Sequence, residues 1–171
     1  MNLKPLLQTI LSEYSLPLNG YHGIAHWARV LENGLRLCET TGANLRVVSY
    51  FAVLHDSRRE NESHDPDHGP RAAEYAVRIR EQHLNMTDEE FALLRRACEG
   101  HTHELTHPDV TIQTCWDSDR LDLGRVGIVP HPTRLCTAAA KHREMIAGAY
   151  GRGAFGYVPE RVRTEWGIEL F

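Results

Sequence analysis

Apolar residues recur along most of the chain at spacings of three and four, the period of α-helices packed on one side. Leu3, Leu6, Leu7, Ile10 and Leu11 form the first stripe, in a helix predicted from residue 2 or 3 to 14. Pro17 and Gly20 mark a turn over 16–20. A second helix is predicted over 21–41, where Ile24, Trp27, Ala28, Leu31, Leu35 and Cys38 share a side and Gly42 supplies a C-cap. Asn44 caps a third, which runs through LRVVSYFAVLHD, residues 45–56, apolar almost throughout until it ends in His55 and Asp56.

The stretch SRRENESHDPDHG, residues 57–69, is polar and contains Pro66 and Gly69, so it predicts a loop. Pro70 suits the first turn of a fourth helix, over 71 to about 84. Thr87-Asp88-Glu89-Glu90 has the form of a capping box and opens a fifth, to about residue 100. His101 to Asp109 reads as a helix end and loop, and 111–123 as a sixth helix. Gly124, Gly127 and Pro130 break the pattern, and Thr133 caps a seventh helix over 134–149. A Gly-rich tail from 151 closes in a short amphipathic piece over 159–171. The chain shows no hairpin signal and no internal repeat. The reading is all-α: a single domain of about seven helices over 1–171, with its core at 21–150 and a tail at 151–171.

Composition adds bounds. A length of 171 residues suits one full core. A net charge of -4 leaves no basic footprint, which argues against duplex nucleic acid but not against a phosphorylated small molecule beside a bound cation. Cys38, Cys98, Cys115 and Cys136 form no CxxC pair, and all but Cys115 sit in apolar helical patterns, which fits a reducing compartment. No stretch reads as a signal peptide or reaches membrane-spanning length, so a cytoplasmic protein is expected.

The chemistry gathers around the end of the third helix. A buried carboxylate such as Asp56 needs a partner or a metal, and the macrodipole disfavours an anion at a helix C-terminus. His26, His55, Asp56 and Asp119 would supply two nitrogens and two oxygens from three helices, a set suited to Mn, Fe, Co, Ni or Zn and too rich in nitrogen for calcium. Adjacent residues diverge by about 100 degrees on a helix, so His55 and Asp56 reach one ion only at a helix end or where Asp56 bridges two ions. His22 lies four residues before His26, on the same predicted helical face, and is a candidate to touch substrate. Asp117 and Asp122 compete with Asp119, although Asp122 would serve equally to pair with Arg125 at the surface. His64, His103 and His107 fall in loops, where solvated histidines are ordinary.

The order His26 in YHGIAHWARV, His55-Asp56 in FAVLHDS and Asp119 in CWDSDRLDLG, on an all-helical chain, resembles the HD superfamily of metal-dependent phosphohydrolases. The match spans residues 21–123. His68 in DHGPRAAEYA and His101 in RRACEGHTH resemble the extra histidines of two-metal members, which implies a possible second ion held by Asp56, His68 and His101. The resemblance implies a metal-activated water attacking a phosphoryl group, with a nucleotide or similar phosphorylated small molecule as substrate and one or two divalent transition-metal ions as cofactor. It casts Arg59 or Arg58 as the phosphate clamp, Glu60 or Asp67 as the group orienting water, and His68 as a phosphate ligand or general acid where only one ion binds. Some relatives carry a glutamate three residues after the HD aspartate; here that position is Arg59, which leaves the general base open. Two alternatives accompany this reading: a di-iron oxygenase of HD-like fold, and a non-catalytic, metal-stabilised nucleotide-binding module. A homodimer is compatible with either.

Overall fold

The computed structural model describes residues 1–170. Their regular elements are helices: α1 Lys4–Leu11, α2 Ile24–Thr41, α3 Leu45–Leu54, α4 His68–His83, α5 Asp88–Gly100, α6 Val110–Arg120, α7 Arg143–Ala154 and α8 Arg161–Thr164, with 3-10 helices at Leu121–Val126 and Pro132–Arg134. The chain is all-α, as its periodicity predicts.

The third helix is the axis of the fold. Every residue of α3 from Val47 to Leu54 is buried, and α2, α4, α5 and α6 all pack against it. A helix apolar on all sides has no face to give to water, so its neighbours must enclose it. The Asn44 side chain accepts from the backbone N–H groups of Arg46 and Val47 and fixes where it starts. Enclosure of α3 carries the next two residues inward: His55 is 0% exposed and Asp56 2%. Leu6, Leu7 and Ile10 of α1 join the same core, and so do Val162 and Trp166 near the C-terminus.

Several boundaries differ from those predicted. Helix α2 begins at Ile24, not residue 21, because the Ile24 N–H donates to the Leu18 carbonyl and Gly23 is extended. His22 therefore belongs to the preceding turn. Helix α4 starts at His68, with Pro70 in its first turn, where no intrahelical N–H is needed. Helix α6 stops at Arg120 and tightens into the 3-10 helix.

The predicted seventh helix is displaced to Arg143–Ala154. Asp117 explains the shift: its carboxylate accepts from the N–H groups of Cys136 and Thr137 and from the Thr137 hydroxyl. Those bonds tie residues 136–137 to α6 in a non-helical course. Helix α7 then runs through Gly148, Gly151 and Gly153, part of which the sequence assigns to the tail. Within the amphipathic piece only Arg161–Thr164 is helical; Phe171 lies outside the described residues.

Candidate metal centre

Helix ends converge on one buried point. His26 comes from the first turn of α2, His55 and Asp56 from the end of α3, His68 from the start of α4 and His101 from the C-cap of α5. Asp119 closes the group from the last turn of α6.

His26 Nε2 lies 3.1 Å from His55 Nε2. Asp56 Oδ2 is 3.4 Å from the first of these nitrogens and 3.6 Å from the second. Asp119 Oδ1 is 3.4 and 3.7 Å from the same pair. Donors bound about 2.0–2.1 Å from one ion, in octahedral or tetrahedral array, stand roughly 3.0–3.4 Å apart. The observed spacings are those of a ligand set, slightly open.

The protons give a stricter test. His26 Nδ1 sits 2.7 Å from Asp122 Oδ2, and His55 Nδ1 is 3.2 Å from the Phe51 carbonyl oxygen. An ionised carboxylate and a carbonyl only accept, so each Nδ1 carries the hydrogen and each Nε2 presents a lone pair. Two lone-pair nitrogens and two carboxylate oxygens thus face one another with no donor among them. Such a set repels itself in a buried space unless a cation lies between. These residues could hold a metal ion.

A second group repeats the arrangement. Asp56 Oδ1 is 3.2 Å from His68 Nε2 and 3.9 Å from His101 Nε2, and those two nitrogens are 2.8 Å apart. His68 Nδ1 donates to the Asp65 carbonyl and His101 Nδ1 to the Cys98 carbonyl, which again leaves Nε2 of each as an acceptor. Both groups, His26-His55-Asp56 and Asp56-His68-His101, have the compactness to hold an ion. Asp56 belongs to both, one oxygen to each. The Thr102 hydroxyl, 3.2 Å from His68 Nε2, is a further polar neighbour of the second group.

Electrostatics agree with this assignment. Burial pushes the His55 imidazole down to about 3 and lowers that of His101, so both stay neutral and ready to bind metal at pH 7. His68 is the exception: burial opposes its protonation, but the facing Asp56 carboxylate, with no cation between them, outweighs that and raises its pKa. For Asp56 and Asp119 burial favours the acid, yet the surrounding imidazoles, with Arg125 at Asp119, hold both carboxyls well below the usual range.

Asp122 is a further member, which its spacing from Arg125 would leave at the surface. It is 1% exposed, orients His26, and receives Arg29 Nε at 2.7 Å on Oδ1 and Nη2 at 3.0 Å on Oδ2. A signal for it exists: Asp119 and Asp122 are three apart, as are His26 and Arg29, so each pair can share a helical face. Every carboxylate here has its own arginine. Arg29 serves Asp122, Arg59 Nη1 is 3.7 Å from Asp56 Oδ1, and Arg125 Nη2 is 3.9 Å from Asp119 Oδ1.

Some predicted residues are not brought to the centre. Arg58 donates to the carbonyls of Glu13 and Ile10 and lies 3.7 Å over the Tyr75 ring, which fastens it to α1. The Glu60 side chain is 72% exposed and faces Arg71. Asp67 is exposed just before α4. Neither side chain is brought into the buried cluster. Arg59 does lie at the cluster, but Nε and Nη2 donate to the carbonyls of Asn61 and Ser63. His22 is beside the centre without joining it; its Nδ1 is 2.6 Å from Glu62 Oε2 and its ring meets that of His26 edge-on. Asp117 is committed to residues 136–137, which leaves Asp119 as the α6 carboxylate that faces the cluster.

No family model and no curated protein matches the chain. Among solved structures it is similar to a predicted HD superfamily hydrolase from an uncultured Thermotogales bacterium. The two are 24% identical, with 96% of this chain and 91% of that chain covered and a TM-score of 0.66. This likeness establishes an HD-type helical fold, as the order of His26, His55-Asp56 and Asp119 suggests. No helix is long and apolar enough to cross a membrane among the described residues.

Proposed function

We propose that the protein is a metal-dependent phosphohydrolase of the HD type, acting on a nucleotide or similar phosphorylated small molecule. The observation that carries this reading is Asp56, whose two oxygens each face a buried group of imidazole acceptors. His26, His55, Asp56 and Asp119 would hold one ion, and Asp56, His68 and His101 a second. Bound there, divalent ions supply an acidified water and charge neutralisation on a phosphoryl oxygen.

The charge balance favours an anionic substrate. Asp56, Asp119 and Asp122 are matched by Arg59, Arg125 and Arg29, so each divalent ion leaves the centre net positive. A phosphate dianion suits such a site. Hydrolysis joins a water oxygen to phosphorus, breaks the bond to the leaving oxygen, and returns a proton to that oxygen. Asp122 and the carbonyl of Phe51 hold the ligand imidazoles in one tautomer throughout.

The test is release of inorganic phosphate from a panel of nucleotides by protein loaded with Mn, Co or Ni. His55→Ala and Asp56→Ala should each abolish it, and activity retained in both contradicts the proposal. A di-iron oxygenase would draw on the same histidine-rich pair of groups. It would instead show coupled iron in protein prepared without air, and no phosphate release.

A further inference from the structure

Beside the metal centre opens a cleft of about 650 Å3, walled by Tyr21, Ala25, Gly156, Val158 and Leu170 and bordered by Arg29, Glu62 and Arg125. That volume is in the range of small-molecule sites. Arg125 links the cleft to the centre: it lines the cleft, and its Nη2 stands 3.9 Å from Oδ1 of Asp119, whose side chain is 18% exposed while those of His26, His55 and Asp56 are at most 3%. A ligand in this cleft meets Arg125 on the side that faces Asp119.

From this geometry we infer that Arg125 binds the phosphate of the substrate, the role sequence proximity gives to Arg58 or Arg59. The inference rests on the phosphohydrolase reading and names its anion-binding group. Its basis is which guanidinium donors are already committed. Arg29 gives Nε and Nη2 to Asp122 and Nη1 to the Tyr157 carbonyl. Arg58 and Arg59 line no part of the cleft; each gives two donors to backbone carbonyls, and Arg59 Nη1 faces His68 and Asp56. Arg71 is committed to the Arg58 carbonyl and to Asp65. The two lysines of the chain, Lys4 and Lys141, are exposed and line no part of the cleft.

Arg125 differs. Its Nη1 donates to the Asp122 carbonyl at 3.2 Å, which anchors the head group. Nε has no partner among the described residues, and Nη2 stands 3.9 Å from Asp119 Oδ1, too far for a hydrogen bond. The side chain is nonetheless 9% exposed, so a cation is being held largely out of water with donor capacity unspent. A phosphate oxygen beside Asp119 would take up that capacity in the forked geometry arginine offers.

The backbone holds Arg125 in this place. The 3-10 helix Leu121–Val126 lies so close to α7 that a Cβ on Gly124 would come 2.5 Å from the Tyr150 carbonyl oxygen, and one on Gly153 would come 2.8 Å from the Arg125 nitrogen. Gly124 and Gly153 thus let two backbones touch and set the arginine at the cleft edge.

The experiment is calorimetric titration of inorganic phosphate into Mn-loaded wild type, Arg125→Gln and Arg125→Lys, with bound Mn counted in each. Arg125→Gln keeps an N–H for the Asp122 carbonyl but no charge; it should weaken phosphate binding about 10-fold or more with Mn content unchanged. Arg125→Lys should fall between the two. Equal phosphate affinity in wild type and Arg125→Gln overturns the inference, and so does absence of phosphate binding in wild type or loss of Mn in the variants. Arg125-dependent phosphate binding without release of phosphate from any nucleotide supports the binding site and counts against the hydrolase reading alone.

Discussion

At His26 the decisive feature is which nitrogen carries the proton, and Asp122 decides it. With the hydrogen on Nδ1, Nε2 faces His55 and the two carboxylates as a fourth acceptor. An Asp122→Asn substitution keeps the shape but removes the charge, and its amide can turn a donor toward Nδ1. Metal affinity at the group His26-His55-Asp56 should then fall about 10–100-fold, as measured by competition with a chelator; unchanged affinity would show that Asp122 serves only to bury Arg29. At this scale the clustered residues were legible because an apolar helix draws the His-Asp pair at its end inward, where a carboxylate needs a cation. Arg58, Glu60 and Asp67 lie outside the buried cluster, because nearness to Asp56 in sequence is not nearness in space. Asp122 was missed because Arg125, three residues on, offers an equally good partner on paper, while its true partners are Arg29 and His26, about ninety residues earlier.

Caps wrote the element boundaries where side chains of the helix itself decide them. Asn44 at α3, Gly42 in the left-handed conformation after α2 and the Thr87–Glu90 box at α5 lie where the sequence puts them. Helix α7 was displaced because its start depends on Asp117, a residue of another helix, and no local pattern reports that. Glu90 permits a pH test. The Asn44 amide and the Thr87 N–H hold its carboxyl below the usual glutamate range. A depressed folded-state pKa means that its contribution is present above the unfolded pKa and is lost as pH falls through the folded value. Glu90→Gln should therefore cost about 0.5–1 kcal/mol at pH 7 in urea unfolding, with the gap closing as pH falls below the usual glutamate range. A gap independent of pH would contradict the cap's ionic character. Asn44→Ala, which also removes the α3 cap, should cost about 1 kcal/mol or more.

Over the whole molecule, one core takes side chains from α1 through α6 and from the segment after α7. Trp166 is 3% exposed and packs in the same cluster as Phe51 and Trp27. Its truncation in Trp166→Ala should cost about 3–5 kcal/mol in chemical unfolding; a cost below about 1 kcal/mol would make the C-terminal segment an accessory. The core encloses α3, and that enclosure forces His55 and Asp56 to meet the other ligands away from water. The central claim is that Asp56 joins two metal groups. It is tested most directly by counting Mn bound per chain in wild type, His68→Ala and Asp56→Ala at saturating metal. The account predicts about two ions, about one, and none held tightly, in that order. One ion in both wild type and His68→Ala would contradict the second group, and undiminished binding in Asp56→Ala would contradict the centre itself.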